Sequence, residues 1–575
     1  MSSELLEILG EEQSKVDTTL PDGGIPVAVG VQSYCVFRAS RDVPELTDGR
    51  GWTYHHHVDM ACWKGRLYVG WNSCEKDEDI WPSRELFSTS IDGVEWSPPQ
   101  EMFPQGVSTA LRMYFYHAPN GRMLMIAGLR AGTQKVQEDL KGGIVVREIR
   151  ADHTLGEVFV LQAPAALAAD HRPPMFQQSP DAGFVEACRS LLADTVFLEQ
   201  QDRGRLLGER RMKWHHASAW PGGKVPGDND KWVCGKAFSF FRRADGLLVG
   251  VCKMGWVTAS ADGGKTWSQP SVPPTFITGK AKAWAQQTRD GRYALVYNPS
   301  RRTRYPLIVV TSDDGQHFRD MRIVQGELPI QRYAGRDRSI GPQYTRGISQ
   351  WADDGSRAAE RVMWLAYSMN KEDIWVSRVP LPIKPDATSD DEPWNLYVPK
   401  WTKIQAIEGG GIRIEDRDPY DYARAIKVFR ESRSVSVSLD VVADQVGRGT
   451  LQIELMGKFG SPRPVRVWLL PQGQIYMRDG QRDVPVGSYS AGQKVSLSIM
   501  ADVSRGRYAL EINGRLAARE AAFAEPAELL RQISLRSGEY RGIGGLNPVP
   551  PGTDRPTEPC SYQIANLRIS TSSGE

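Results

Sequence analysis

Strong net charge is missing from this chain: over 575 residues, Lys and Arg exceed Asp and Glu by a formal +2. A protein that neutralises a phosphate backbone needs a basic excess, so nucleic acid is not expected as a partner. The seven cysteines (35, 62, 74, 188, 234, 252 and 560) are scattered, odd in number and free of C-x-x-C or zinc-ligand spacing. Reduced, buried thiols are the expectation, and no metal centre. No run of about 18 apolar residues exists to cross a membrane. The start, MSSELLEILGEEQSK, is acidic where a secretory leader opens basic and then turns apolar. The chain therefore reads as soluble and cytoplasmic, with no membrane partner. No G-x-G-x-x-G fingerprint or haem-attachment motif occurs, and no cofactor is expected. The oligomeric state stays open.

Turn formers and tryptophan are abundant instead: 55 Gly, 37 Pro and 17 Trp, in a chain that is 40% hydrophobic and 24% charged. Trp serves either as core filler or as a stacking platform for sugar rings. The length exceeds what one hydrophobic core organises, so at least two domains are expected.

Three turns stand out: Ser90-Ile-Asp-Gly-Val-Glu-Trp96, Ser260-Ala-Asp-Gly-Gly-Lys-Thr-Trp267 and Ser312-Asp-Asp-Gly-Gln-His-Phe318. Each follows a strand-like run, and in each the Asp carboxylate can accept backbone N–H bonds while Gly supplies the tight turn. A second hairpin lies upstream, at Lys64-Gly65, Asp245-Gly246 and Asp290-Gly291; the same unit recurs at Asn120-Gly121 and Asp354-Gly355. Such dipeptides between alternating apolar runs are hairpin signals. Five units result, near residues 55–97, 111–162, 235–268, 281–319 and 344–380. Repeated four-stranded units of this length predict an all-β, five- or six-bladed β-propeller. A sixth blade would come from the N-terminal strand and poorly patterned segments. Phe184 to Glu199 shows helical spacing instead, which predicts a helical insertion near 180–205.

After the linker LPIKPDATSDDEPW, period-two strands such as VSVSLDVV, KVSLSIMAD and RYALEING run to the end. They predict a jelly-roll β-sandwich over 396–575 behind a propeller over 1–395. No calcium-carboxylate cluster or exposed aromatic trio marks a binding face, so bracing is the leading expectation for the second domain and sugar binding the other.

The three turns resemble the Asp-boxes of the sialidase-like (BNR-repeat) propeller superfamily, over most of residues 50–380, and RYALEINGR resembles the strand–turn of concanavalin- or laminin-G-like sandwiches. The resemblance implies turns on the blade periphery and chemistry elsewhere. Sialidases carry an early Phe/Tyr-Arg-Ile-Pro element whose arginine holds the substrate carboxylate. The nearest match is Val36-Phe37-Arg38-Ala39, without the Ile-Pro. Related propellers include polysaccharide lyases that cut uronate chains with His, Tyr and Arg.

Propeller sites lie where the innermost strands converge. Counted back a fixed distance from each hairpin Gly, one equivalent place holds His56, Arg112, Lys282 and Arg346; in the remaining unit it is Ala237, beside Lys236. Buried charge is expensive, so a ring of cations there points to an anionic ligand or to ion pairs between blades. Gln286 and Arg336 complete the expected substrate-binding set. The run Tyr54-His55-His56-His57 concentrates a third of the nine histidines, with another pair at His215-His216. Imidazole suits general acid–base chemistry, and His55 and His56 are the candidates. Tyr344 and Glu372 are the further catalytic candidates, with Asp337, Asp373 and the acidic loop Glu75-Lys-Asp-Glu-Asp79 as other sources of a carboxylate; the loop also reads as a solvated surface run. The expected function is exo-acting hydrolysis of an acidic-sugar (uronate- or sialate-like) glycosidic bond. β-Elimination on a uronate-containing glycan is the alternative, and a non-catalytic glycan-binding propeller the third reading.

Overall fold

The computed structural model describes residues 5–10, 15–17, 20, 22–78, 80–104, 107, 109–129, 143–163, 173–201, 238–268, 270–408, 410–458, 460–539 and 558–572, with backbone alone at 109–112. Two compact units emerge. One comprises Met1–Ser14, Val36–Asp320 and Tyr333–Leu381; the other Lys15–Cys35, Met321–Arg332 and Pro382–Glu575. The second unit thus also takes in two segments from ahead of the Pro/Asp-rich linker.

Five successive groups of antiparallel strands follow among the described residues, four as the bulk of separate sheets and the fifth as three strands of a larger one; Glu7–Ile8 adds a parallel edge to the fourth. Blade 1 comprises Tyr54–Trp63, Arg66–Cys74, Ser83–Ser90 and Gln100–Glu101, and blade 2 comprises Thr109–His117, Met123–Leu129, Gly143–Ile149 and Phe159–Gln162. Blade 3 comprises Ser239–Arg242, Leu248–Val251 and Val257–Ser260, and blade 4 Trp284–Gln287, Tyr293–Tyr297, Leu307–Ser312 and His317–Gln325. Blade 5 comprises Pro342–Gly347, Val362–Met369 and Asp373–Pro380. The first strand of blade 1 touches those of blades 2 and 5, and the first strand of blade 4 touches those of blades 3 and 5. These contacts, running from blade 2 through blades 1, 5 and 4 to blade 3, put the first strands side by side, and in blades 1 and 5 they are buried end to end.

Polar groups stitch the inner strands together. His55 N donates to Lys371 O (3.0 Å) and Cys62 N to Ala352 O (2.7 Å), joining blades 1 and 5. Phe115 N donates to Asp59 Oδ2 (3.0 Å) between blades 1 and 2. Ser239 Oγ bonds both Ala285 O and Ala285 N between blades 3 and 4. Arg38 donates to Asp373 at 2.7 Å with both side chains at most 1% exposed, and Ala39 N donates to the other oxygen. This pair fastens the segment after Phe37 to the start of the last strand of blade 5.

The three Ser-x-Asp-Gly turns fold alike. In blade 1, Val94 N and Glu95 N donate to Asp92 Oδ1 (2.8 and 2.9 Å), and Gly93 N donates to Ser90 Oγ (2.7 Å). Asp262 and Asp314 accept from the equivalent turn amides. Gly93 has φ +79°, and a Cβ there would lie 2.1 Å from the Trp364 ring of blade 5. The turn therefore needs glycine twice: for its backbone region and for close approach to the neighbouring blade.

The helical spacing of Phe184 to Glu199 becomes helix α1 (Ala182–Ala193) and helix α2 (Thr195–Gln200). Asp181 and Asp194 cap them by accepting from the third residue onward. Phe184, Leu191 and Phe197 enter one core with Tyr114 and Tyr116 of blade 2 and Phe240 and Leu248 of blade 3. No helix among the described residues is long and apolar enough to cross a membrane.

The second unit stacks two sheets. One contains Trp394–Val398, Arg424–Ser432, Leu530–Arg536, Leu451–Met456, Val465–Leu470, Gln474–Asp479 and Arg482–Ser488, in that order. The other contains Lys403–Ile407, Gly411–Asp416, Cys560–Thr571, Ser434–Ala443, Lys494–Asp502, Arg507–Ile512 and Arg515–Ala522. Period-two alternation turns Val435, Val437, Leu439 and Val441 inward to meet Ile453, Leu455, Val465 and Val467. Asn513 (φ 53°) and Gly514 (φ 74°) form the two-residue turn that the Asn-Gly dipeptide predicts.

Losing one member of the buried Arg38–Asp373 pair strands the other, which costs about 3–5 kcal/mol. Asp373→Ala is expected to lower the unfolding free energy by that order in urea titrations, and Arg38→Met with Asp373→Leu by less. A single-variant loss below about 1 kcal/mol would contradict this role for the pair.

Candidate active site

Three first strands carry bulges at one level. Pairing steps from His56↔Asn72 to Asp59↔Gly70, from Ala110↔Gly128 to Met113↔Ala127, and from Gln343↔Ser368 to Arg346↔Ala366. The partner strand advances fewer residues each time, so extra residues stand unpaired and the strand re-aims its side chains. His57 (φ 56°) and Tyr344 (φ 58°) sit in two of these bulges in left-handed backbone. That conformation costs a non-glycine residue about 1–3 kcal/mol.

Tyr344 is the point of convergence. Its ring centroid lies 4.1 Å from that of His56 and 5.2 Å from that of His57. Lys253 Nζ hydrogen-bonds the Tyr344 hydroxyl and lies 4.1 Å from the ring centre. Lys282 Nζ is 5.1 Å and the Arg304 guanidinium 5.2 Å from the same centre. Lys253 and Arg304 come from the loops between the second and third strands of blades 3 and 4, and Lys282 immediately precedes the first strand of blade 4. The site is thus built by loops at one end of the first unit. Tyr344, Lys253, Lys282 and His56 are nearly inaccessible, at 6%, 5%, 3% and 0% exposure.

His56 Nδ1 is 2.6 Å from Ser368 Oγ, and its Nε2 is buried without a hydrogen-bond partner among the described residues. Burial, then the charges of His57 and Lys371, hold its pKa well below the ordinary imidazole value. The ring is therefore neutral near neutrality. Glu78 takes His57 Nε2 on one oxygen (3.2 Å) and Lys371 Nζ on the other (2.8 Å). Burial alone would raise this carboxyl, but the hydrogen bond and charge of His57, with Lys371, hold it far below the usual range. Asp59 behaves oppositely: burial pushes it up to about 6, against the opposing pull of Arg346, Phe115 N–H and Lys282.

Other expected residues take different places. His55 is not available for chemistry: Nε2 donates to Trp52 O (2.9 Å) and Nδ1 accepts from Trp71 Nε1 (3.1 Å). Both ring nitrogens are used, and burial lowers its pKa to about 4. Arg346 turns away from Tyr344: it donates to Phe238 O (3.2 Å) and Gln200 O (3.3 Å), and lies over Trp284. It ties backbones together, because the bulge before it changes the face it presents. Glu372, fully buried, accepts from Tyr333 N (2.8 Å) and so holds a loop. Asp373 holds Arg38. Gln286 accepts from Trp284 Nε1 (2.6 Å). Arg336 is 80% exposed and pairs with its neighbour Asp337. Lys236, Ala237, His215 and His216, and the side chain of Arg112, lie outside the described residues.

Sequence reasoning did not single out Lys253, Arg304, Lys371 or Asp59, and it leaned toward the solvent for Glu78. Three of them sit in loops, where no periodicity reports direction. A hairpin-end group of Cys62, Asp353 and Asp354 is close enough to hold a cation. Its oxygens are engaged by Lys64 N, Ser356 N, Gly355 N and Arg289, and burial pushes the thiol up to about 11. It is a braced turn.

Residues 5–204 match the family model described as BT_1020-like, N-terminal beta propeller, and residues 394–549 match the model Sialidase-like, CBM domain. No curated protein matches the chain. Among solved structures, one titled Sialidase superposes with a TM-score of 0.86 at 28% identity, over 99% of this chain and 54% of that one. The chain spans about half the length of that protein. A Trypanosoma rangeli sialidase (10% identity, 94% of each chain, TM-score 0.30) is too distant to carry an argument.

Asp59 supplies a test of the electrostatics. Its folded pKa, about 6, lies above the ordinary aspartate value of 3.8. Between those values the folded state holds a proton that the unfolded state has lost, so the ionisation penalty is absent below the lower value and complete above the upper one. Relative to Asp59→Asn, the wild type is expected to lose up to about 3 kcal/mol of unfolding free energy between pH 4 and 6. A flat or rising difference over that window contradicts the assignment.

Proposed function

For this chain, a sialidase-like β-propeller followed by a sialidase-like β-sandwich, we propose exo-acting hydrolysis of a glycosidic bond to an acidic sugar. The observation that carries the reading is the convergence of Lys253, Lys282, Arg304, His56 and His57 on the single phenol of Tyr344. Buried cations drawn to one point favour an anionic ligand. The two ammonium groups and the guanidinium hold the sugar carboxylate by charge-assisted bonds. Lys253, already on the Tyr344 oxygen, stabilises that oxygen as it attacks the anomeric carbon. The bond to the departing oxygen breaks, the phenol proton leaves on that oxygen as the alcohol, and water then attacks the same carbon and restores the Tyr344 hydroxyl. The superposition on a solved sialidase with a TM-score of 0.86 also supports this class of reaction.

His56, whose ring lies against Tyr344 and whose Nε2 has no hydrogen-bond partner among the described residues, relays the protons of the phenol and the water. Glu78 is the fixed negative charge that orients His57 and Lys371. The match of the second unit to a carbohydrate-binding-module model supports a glycan, rather than a small metabolite, as the substrate.

Incubation with sialate- and uronate-terminated oligosaccharides, followed by mass spectrometry and by the absorbance of unsaturated uronate, tests the reading. Products that gain one water are expected. Tyr344→Phe is expected to lose about 10³-fold or more in kcat while remaining folded. An unsaturated product without added water would replace hydrolysis by β-elimination. Binding without any product would make the propeller a glycan-binding module.

A further inference from the structure

The outward face of the seven-stranded sheet in the second unit holds a groove of about 470 Å³. Its floor follows from register. Arg568 pairs with Ser438, Ser438 with Ser498, and Ser498 with Glu511, so four neighbouring strands contribute one straight row. Three inter-strand steps make that row about 14 Å long. It has a cation at one end, a carboxylate at the other and two hydroxyls between. A second row lies alongside, where Asp440 pairs with Ser496.

Asp440 is oriented from both sides. Ser496 Oγ donates to one of its oxygens (2.6 Å) and Asn566 Nδ2 to the other (2.8 Å). Asn566 reaches it from a bulge, opposite the step from Ser438 to Asp440, and has φ 52°. The hairpin tip folds in as well: Ser496 N donates to Asn513 Oδ1 (2.9 Å), and Asn513 N donates to Ser496 O (2.8 Å). The inward alternates of these strands, Val437, Leu439, Leu497 and Ile499, are core residues, so the backbone beneath the groove is rigidly held.

The chemistry of the groove is that of a hydroxyl-rich ligand. Hydroxyls, an amide and carboxylates alternate as donors and acceptors, and no cationic excess exists to select an anion. No aromatic residue lines it, and its two leucines, Leu439 and Leu497, turn their side chains into the core beneath. That composition does not fit an apolar protein interface. We infer that this groove binds a neutral oligosaccharide segment, with Arg568 and Glu511 marking its ends and Asp440 and the serines contacting sugar hydroxyls along it. The assignment rests on reading the second unit as carbohydrate-binding, and not on the chemistry at Tyr344.

Isothermal titration of the full chain with neutral cello-, xylo-, manno- and galacto-oligosaccharides tests this. At least one is expected to bind the wild type and Tyr344→Phe equally. Its affinity is expected to fall about tenfold or more in Glu511→Gln, which removes a charged acceptor, and in Ser498→Leu, which fills the floor. Unchanged affinity in both variants overturns the proposal, as does a folded wild type that binds none of the four. Because Tyr344→Phe leaves the groove intact, failure of the hydrolase reading and failure of this one are separate results.

Discussion

Buried charge is the constraint on which the propeller depends. Five inner strands converge, and several of their ends and loops carry cations into a space from which water is nearly excluded. An isolated charge there is costly, so each must find a counter-charge, a carbonyl or a ligand. The chain uses the first two. Arg38 is matched by Asp373, Lys371 by Glu78, and Arg346 is taken up by backbone carbonyls. Lys253, Lys282 and Arg304 gather instead about the Tyr344 ring. Structural cations and those proposed to hold substrate are therefore distinguished by what they face, and not by their burial.

The same constraint accounts for the strained backbone. A regular strand would send neighbouring side chains to opposite faces of the blade. The bulges at His57 and Tyr344 break that alternation, and left-handed φ values are the price of doing so. Among the eleven described non-glycine residues with positive φ, His57 and Tyr344 are two whose rings touch, the pattern expected where a fold is held in a particular geometry for chemistry.

Much of the fold was legible in the sequence, because turns and alternation are local. Asp-Gly and Asn-Gly dipeptides located the hairpins, the Ser-x-Asp-Gly turns marked the blade edges, and the helical spacing after Phe184 became α1 and α2. His56 and Tyr344 were legible as candidates because His and Tyr are rare enough to stand out on inner strands. The rest of the site was not. Counting back a fixed distance from each hairpin Gly assumes strands and loops of equal length, and in blade 5 it stops at Arg346, short of the bulge that begins at Gln343. Arg346 therefore ties backbones while Tyr344, two residues earlier, takes the centre. Glu78 belongs to a run that looks solvated, yet it bridges His57 and Lys371. His55 was drawn in by its neighbours' chemistry, although Trp52 and Trp71 occupy both of its nitrogens.

In the second unit, strict alternation predicted the sandwich, but the functional content of its outer face depends on register across four strands, which one strand's sequence does not encode. For the propeller, the central claim is that the Tyr344 oxygen forms the bond to the sugar. A fluorinated glycosyl fluoride of the acidic sugar that the protein turns over, followed by peptide mass spectrometry of the trapped enzyme, measures this directly. The account predicts a glycosyl adduct on the peptide containing Tyr344, and none in Tyr344→Phe. An adduct on Glu78, Asp59 or any other residue would contradict it.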